Sequence, residues 1–106
     1  MFGLFGGKER LGGDGKNRTS SGAEVHLALY KYDSCPFCRL VYRTIDDLGL
    51  ELEYRDIRQD RAHRDALYEL TGRTTVPCLV VDGKPMFESA DIASWMRSTF
   101  DSGATP

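Results

Sequence analysis

Apolar and polar positions change period several times between Ala23 and Phe100. Val25, Leu27 and Leu29 alternate with His26, Ala28 and Tyr30, the period of a strand. After Ser34-Cys35-Pro36 the spacing becomes helical: Leu40, Val41, Thr44, Ile45 and Leu48 share one face. Proline suits the first helical position, and Gly49 supplies the C-terminal stop. Leu52 to Asp56 predicts a short strand. Asp60 then caps a second helix with the stripe Ala66, Leu67 and Leu70, ended by Gly72. His63 falls beside that stripe and predicts a residue flanking the core. The run Cys78-Leu79-Val80-Val81 suits a strand buried on both faces. Asp82-Gly83 is a hairpin turn, and Pro85-Met86-Phe87-Glu88 follows as an edge strand. Ile92, Trp95 and Met96 give a last helix its core face.

The order β-α-β-α-β-β-α predicts a small four-stranded mixed α/β sheet with helices on both faces. The first β-α-β unit is expected as a right-handed parallel crossover. Residues 23–100 form the expected domain. Residues 1–22 hold seven of the chain's 11 glycines among Lys, Arg, Asn and Ser, and predict a flexible tail. Phe2, Leu4 and Phe5 could make a small apolar tip there, but bury too little to order it. Residues 101–106 predict a second tail.

Composition narrows the function. The net charge of −2, from 14 basic and 16 acidic residues, leaves no basic footprint for nucleic acid. No apolar run reaches the roughly 18 residues of a membrane span, and no signal-peptide pattern opens the chain, which predicts a cytoplasmic protein. Three cysteines do not make a disulfide framework. Two are paired as Cys35-Pro36-Phe37-Cys38 and the third, Cys78, stands alone, reading as a small buried apolar residue.

A Cys-x-x-Cys pair between a strand and a helix start is suited to thiol–disulfide exchange. Helix N-termini favour the thiolate, so Cys35 at the cap is the expected nucleophile. Cys38, one turn in, can attack a mixed disulfide on Cys35 and release the partner. A zinc site would need two more ligands from Cys78, His26 and His63, which lack the spacing of a partner motif, so no metal is expected. A purely structural disulfide would close too short a loop to stabilise much. Two further segments suit a ligand. A cis bond at Val76–Pro77 would turn the Val76 backbone outward to pair with an extended thiol peptide. Glu88-Ser89-Ala90-Asp91 opens a helix, where N–H groups bind a carboxylate and an acid receives an ammonium. Taken alone, that segment reads more readily as ordinary capping by Ser89 with Asp91 matching the helix dipole.

Taken together, Cys35-Pro36-Phe37-Cys38, Gly72-Arg73-Thr74-Thr75-Val76-Pro77 and Phe87-Glu88-Ser89-Ala90-Asp91-Ile92 resemble the glutaredoxin family over roughly Val25 to Phe100. The lead-in Tyr30-Lys31-Tyr32-Asp33-Ser34 and the pair Glu88-Ser89 look most like glutaredoxins related to the N-terminal domain of glutathione transferases. The resemblance implies a thioredoxin-like fold with a cis Val76–Pro77 bond. It implies catalysis by Cys35 and Cys38, and a glutathione cleft using Phe37, Thr75, Val76, Pro77, Glu88, Ser89 and Asp91. Glutathione would be the electron donor, and glutathionylated or disulfide-containing proteins the partners of a monomer in cell redox homeostasis. The alternative is a module that binds glutathione or a shared [2Fe–2S] cluster without reductase activity.

Four departures from the family pattern stand out. Tyr32 occupies the usual lysine position, with Lys31 shifted by one and Arg73 a substitute cation for the glycine carboxylate. Asp33 is expected to oppose a thiolate at Cys35. Phe37 stands where tyrosine is common. No long helical domain follows Phe100, so transferase activity is not expected.

Overall fold

The computed structural model describes residues 13–100, in the order β1 (Lys16–Arg18), β2 (Glu24–Lys31), α1 (Pro36–Leu48), β3 (Glu53–Asp56), α2 (Arg61–Thr71), β4 (Cys78–Val81), β5 (Lys84–Met86) and α3 (Ser89–Phe100). β2 runs parallel to β3 and antiparallel to β4, and β4 pairs antiparallel with β5. This is the expected mixed α/β architecture, with one strand more than the four the sequence predicts.

The extra strand is β1. It lies in the stretch read as a tail and pairs antiparallel with the first part of β2, Lys16 opposite His26 and Arg18 opposite Glu24. β1 and β3 therefore share β2 end to end. Asn17 joins them: its side chain donates to the Glu51 carbonyl at 2.7 Å and accepts from the Glu51 N–H at 2.9 Å. Gly15, at φ +81°, permits the close approach, because a Cβ there would stand 2.7 Å from the Leu27 carbonyl oxygen. These contacts join residues 34 apart in sequence, beyond the reach of any local pattern. The tip Phe2, Leu4 and Phe5 and the tail from Asp101 lie outside the described residues.

Alternation along β2 and β4 builds two cores. Leu27, Leu29 and Leu79 meet Val41, Ile45, Ile92 and Met96 of α1 and α3. Ala28, Tyr30, Cys78 and Val80 meet Leu67 of α2 and Ile57 on the other face. Helices thus cover both faces. The helix stops behave as read: Gly49 and Gly72 take left-handed conformations, and Asp60 caps α2 by accepting from the Ala62 N–H. Three apolar positions do not follow the reading. Leu40, Ala66 and Leu70 are exposed, because each core stripe is narrower than the sequence suggests. On α2 only Leu67 is buried.

Cys78 is fully buried in β4, as read. Burial pushes its thiol up to about 11, against lesser opposing effects from the Met86 backbone and Arg73. The folded state then holds a proton that the unfolded chain releases near pH 9. Stability is complete below that pH and falls as pH rises toward 11. Denaturation of the reduced protein is expected to show this decline, and Cys78→Ala to remove up to about 1.4 kcal/mol per pH unit of its slope. At neutral pH, Asn17→Ala is expected to cost about 1 kcal/mol, and Leu29→Ala about 2–5 kcal/mol. Equal losses from these two would mean that β1 is as integral to the fold as the core.

Candidate active site

β2 ends at Lys31, and the chain turns through Tyr32-Asp33-Ser34 into α1. A hydrogen bond from the Cys35 N–H to the Tyr32 carbonyl, 3.2 Å, closes the turn. Cys35 is the N-cap residue, with extended backbone and Pro36 following at the first helical position. No side chain caps this helix, and its first turn holds no acid. Its unpaired N–H groups and positive end are therefore left to whatever charge develops at the cap. Cys35 is 4% exposed, Cys38 is fully buried, and both are free thiols.

Burial, the largest influence, pushes Cys38 up to about 12, against a backbone hydrogen bond at Tyr32 and the charge of Lys31. The Cys35 thiol beside Cys38 adds to the cost of a Cys38 thiolate. Cys38 is thus held as a thiol at neutral pH.

Phe37 is 60% exposed on the first turn of α1. It faces a cleft of about 210 Å³ lined by Thr75, Val76, Pro77, Glu88 and Ser89. Five of these six residues come from the two segments after α2, which the sequence singles out separately. The Val76–Pro77 bond is cis. Ser89 begins α3, Asp91 lies exposed in its first turn, and Glu88 takes a left-handed φ of 73° just before it. Asp91 is the expected site residue that does not line this cleft.

The charged neighbours differ from expectation. Lys31 is 3% exposed, with its ammonium 2.9 Å from Asp33 and 3.3 Å from Asp56. It is not open to a ligand in the cleft. Asp33 also accepts from the Tyr42 hydroxyl at 2.6 Å, so its charge is shared with these partners rather than turned on Cys35 alone. Burial and that hydrogen bond push the Tyr42 hydroxyl well above its usual range. Arg73 lies over the Phe87 ring, 4.1 Å from its centroid. Arg58 lies 3.8 Å over the Tyr32 ring and donates to Ser34, the residue before Cys35, at 3.3 Å. No local pattern marks Arg58; the 24-residue separation from Ser34 is closed only by β2–β3 pairing.

His26 pairs with Glu53 at 3.1 Å and His63 with Asp60 at 3.7 Å. Among the described residues no group of three or more His, Cys, Asp or Glu side chains is placed to hold a metal ion. No helix among them is long and apolar enough to cross a membrane.

Known proteins resemble this chain in sequence and fold. The glutaredoxin family model matches residues 27–86. Glutaredoxin 3 of Escherichia coli (strain K12) is 25% identical over 60 residues, 57% of this chain and 72% of that protein. A wheat glutaredoxin structure superposes with a TM-score of 0.55 at 25% identity, over 64% of this chain and 67% of its own. The trimeric glutathione transferase TDR1 of Leishmania superposes with a TM-score of 0.60 at 29% identity, over 74% of this chain. The match covers only 18% of that larger chain. With the family model covering more than half of its length, and a thioredoxin-like fold around a Cys-x-x-Cys helix start, this chain belongs to the glutaredoxin family.

Proposed function

We propose that the protein is a glutathione-dependent thiol–disulfide oxidoreductase that reduces protein–glutathione mixed disulfides and disulfides through Cys35 and Cys38. The observation that carries this reading is the single cleft joining Phe37 to Thr75, Val76, Pro77, Glu88 and Ser89, beside the Cys35 turn. Cys35 attacks the glutathione sulfur of a mixed disulfide. The old S–S bond breaks, the target leaves as a thiolate that takes a proton from solvent, and glutathione stays on Cys35. A second glutathione attacks that sulfur, releases oxidised glutathione and regenerates Cys35. For protein disulfides, Cys38 attacks instead and closes the Cys35–Cys38 bond.

The cleft suits glutathione group by group. The backbone of Thr75 and Val76 is the partner for the cysteinyl segment, by strand-like pairing. The start of α3 receives the γ-glutamyl end. Its N–H groups and Ser89 take the carboxylate, and Asp91 and Glu88 attract the ammonium. Phe37 gives the apolar wall. With Lys31 bound to two carboxylates, Arg58 is the cation we assign to the glycine carboxylate, because it is fixed on Tyr32 and Ser34 next to the nucleophile.

The test is turnover of a small glutathione mixed disulfide with glutathione and glutathione reductase. Cys35→Ser is expected to abolish it. Cys38→Ser should keep that activity and lose reduction of a protein disulfide. Full activity in Cys35→Ser would end the proposal. Arg58→Leu is expected to raise KM for the glutathione substrate about three- to tenfold, with kcat little changed, as for one charge-assisted contact. An unchanged KM would remove Arg58 from the binding site.

A further inference from the structure

Lys31 is the one charged side chain buried among the described residues. A buried ion is costly, so its position calls for a reason. Alternation along β2 puts it on the face of Leu27 and Leu29, the face that α1 covers. On α1, Cys38 and Tyr42 are four residues apart and share one side of the helix. The Tyr42 hydroxyl ends on Asp33, and Asp33 holds the Lys31 ammonium. The charged cluster thus lies under the same side of α1 that carries Cys38.

We propose that Lys31 is a positioning residue for the resolving step: its buried ammonium stabilises the Cys38 thiolate as it attacks the disulfide on Cys35. This rests on the function proposed above. The step is balanced: the Cys38 proton passes out to solvent, a Cys38–Cys35 bond forms, and the bond from Cys35 to the substrate sulfur breaks. The departing sulfur takes the electron pair and then a proton from solvent. No outside oxidant is needed.

Cys38 has every reason to resist ionisation. It has no exposed surface, and the neighbouring Cys35 sulfur adds to the cost of a thiolate. α3 brings Ile92 and Met96, and β4 brings Leu79, all apolar. Besides Cys35, the polar groups that act on it are the Tyr32 backbone and Lys31, and around Lys31 stand Asp33 with its donor Tyr42, and Tyr54 and Asp56 on β3. Of these side chains only Lys31 is a cation, and its charge acts on Cys38 in the direction of the thiolate. Asp33 and Asp56 fix it, and the Tyr54 ring lies 5.7 Å from it.

The two charges predict opposite effects. Removing Lys31 should slow resolution, whereas neutralising Asp33 should speed it, because the ammonium then acts with less opposition. A merely structural role would slow both. Dithiobis(nitrobenzoate) reports the two steps in turn: Cys35 releases one coloured thiolate, and Cys38 then releases the second. The experiment uses the full chain with Cys78→Ala, so that no third thiol contributes.

Lys31→Met is expected to slow the second release about three- to tenfold at neutral pH, the gain in thiolate fraction being partly offset by lower nucleophilicity. Its pH profile should move upward, with higher pH restoring the rate. Asp33→Asn should accelerate the second release and move its profile downward. The first release should change less than twofold in both. If Lys31→Met does not fold, the direction of the Asp33→Asn effect decides. An unchanged second release, or slowing in both variants, would overturn the inference. Absence of the first release in the unsubstituted chain would instead overturn Cys35 as nucleophile.

Discussion

The structure depends on the register of β2 against β4. Leu29 stands opposite Leu79, and Tyr30 opposite Cys78. Each pair sends its side chains to a different core. A slip of one residue would put Ala28 and Tyr30 under α1 and move Leu27 and Leu29 toward α2. It would also take Lys31 off the face beneath Cys38. The same pairing brings Pro77 and the cleft residues before it to the end of β2 where the Cys35 turn begins. The core and the Cys35 turn therefore share one constraint.

Local chemistry made much of this legible. Val25 to Tyr30 alternates cleanly, and four of the elements are bounded by Gly49, Asp60, Gly72 or the turn at Asp82-Gly83, whose conformations or caps follow from their side chains. The three ligand segments could be singled out because each carries its own signal. Their convergence on one cleft was expected from the family resemblance, since no spacing along the chain expresses it.

What stayed hidden needs a partner distant in sequence. β1 has no apolar residue at all; it is held by backbone pairing and by the Asn17 amide on Glu51. Leu40 is next to Val41 in sequence but 100° away around the helix, enough to leave the core. In the sequence Lys31 stands out only as shifted by one from the usual lysine position. Asp33 and Asp56 become its partners only when β3 pairs with the end of β2, Lys31 opposite Asp56.

Stability alone does not account for that cation. An ammonium and its carboxylates taken from water cost several kcal/mol, and well-packed apolar replacements are often no worse for folding. The cluster has reduced this cost without escaping it: Asp56 and Asp33 keep 14% and 25% of their surface in solvent, while the lysine keeps 3%. Thiol exchange explains the placement better. The two sulfurs differ by one turn of helix and both are buried, but Cys35 sits at an uncapped helix start and keeps 4% of its surface, whereas Cys38 keeps none within the core cluster that holds Leu79, Ile92 and Met96. A sealed thiol is protected from outside reagents, but the same burial denies it water to stabilise its anion. A fixed cation beneath it supplies that stabilisation without opening the core, and the fold can hold one there because the alternation that buries Leu27 and Leu29 carries through to Lys31.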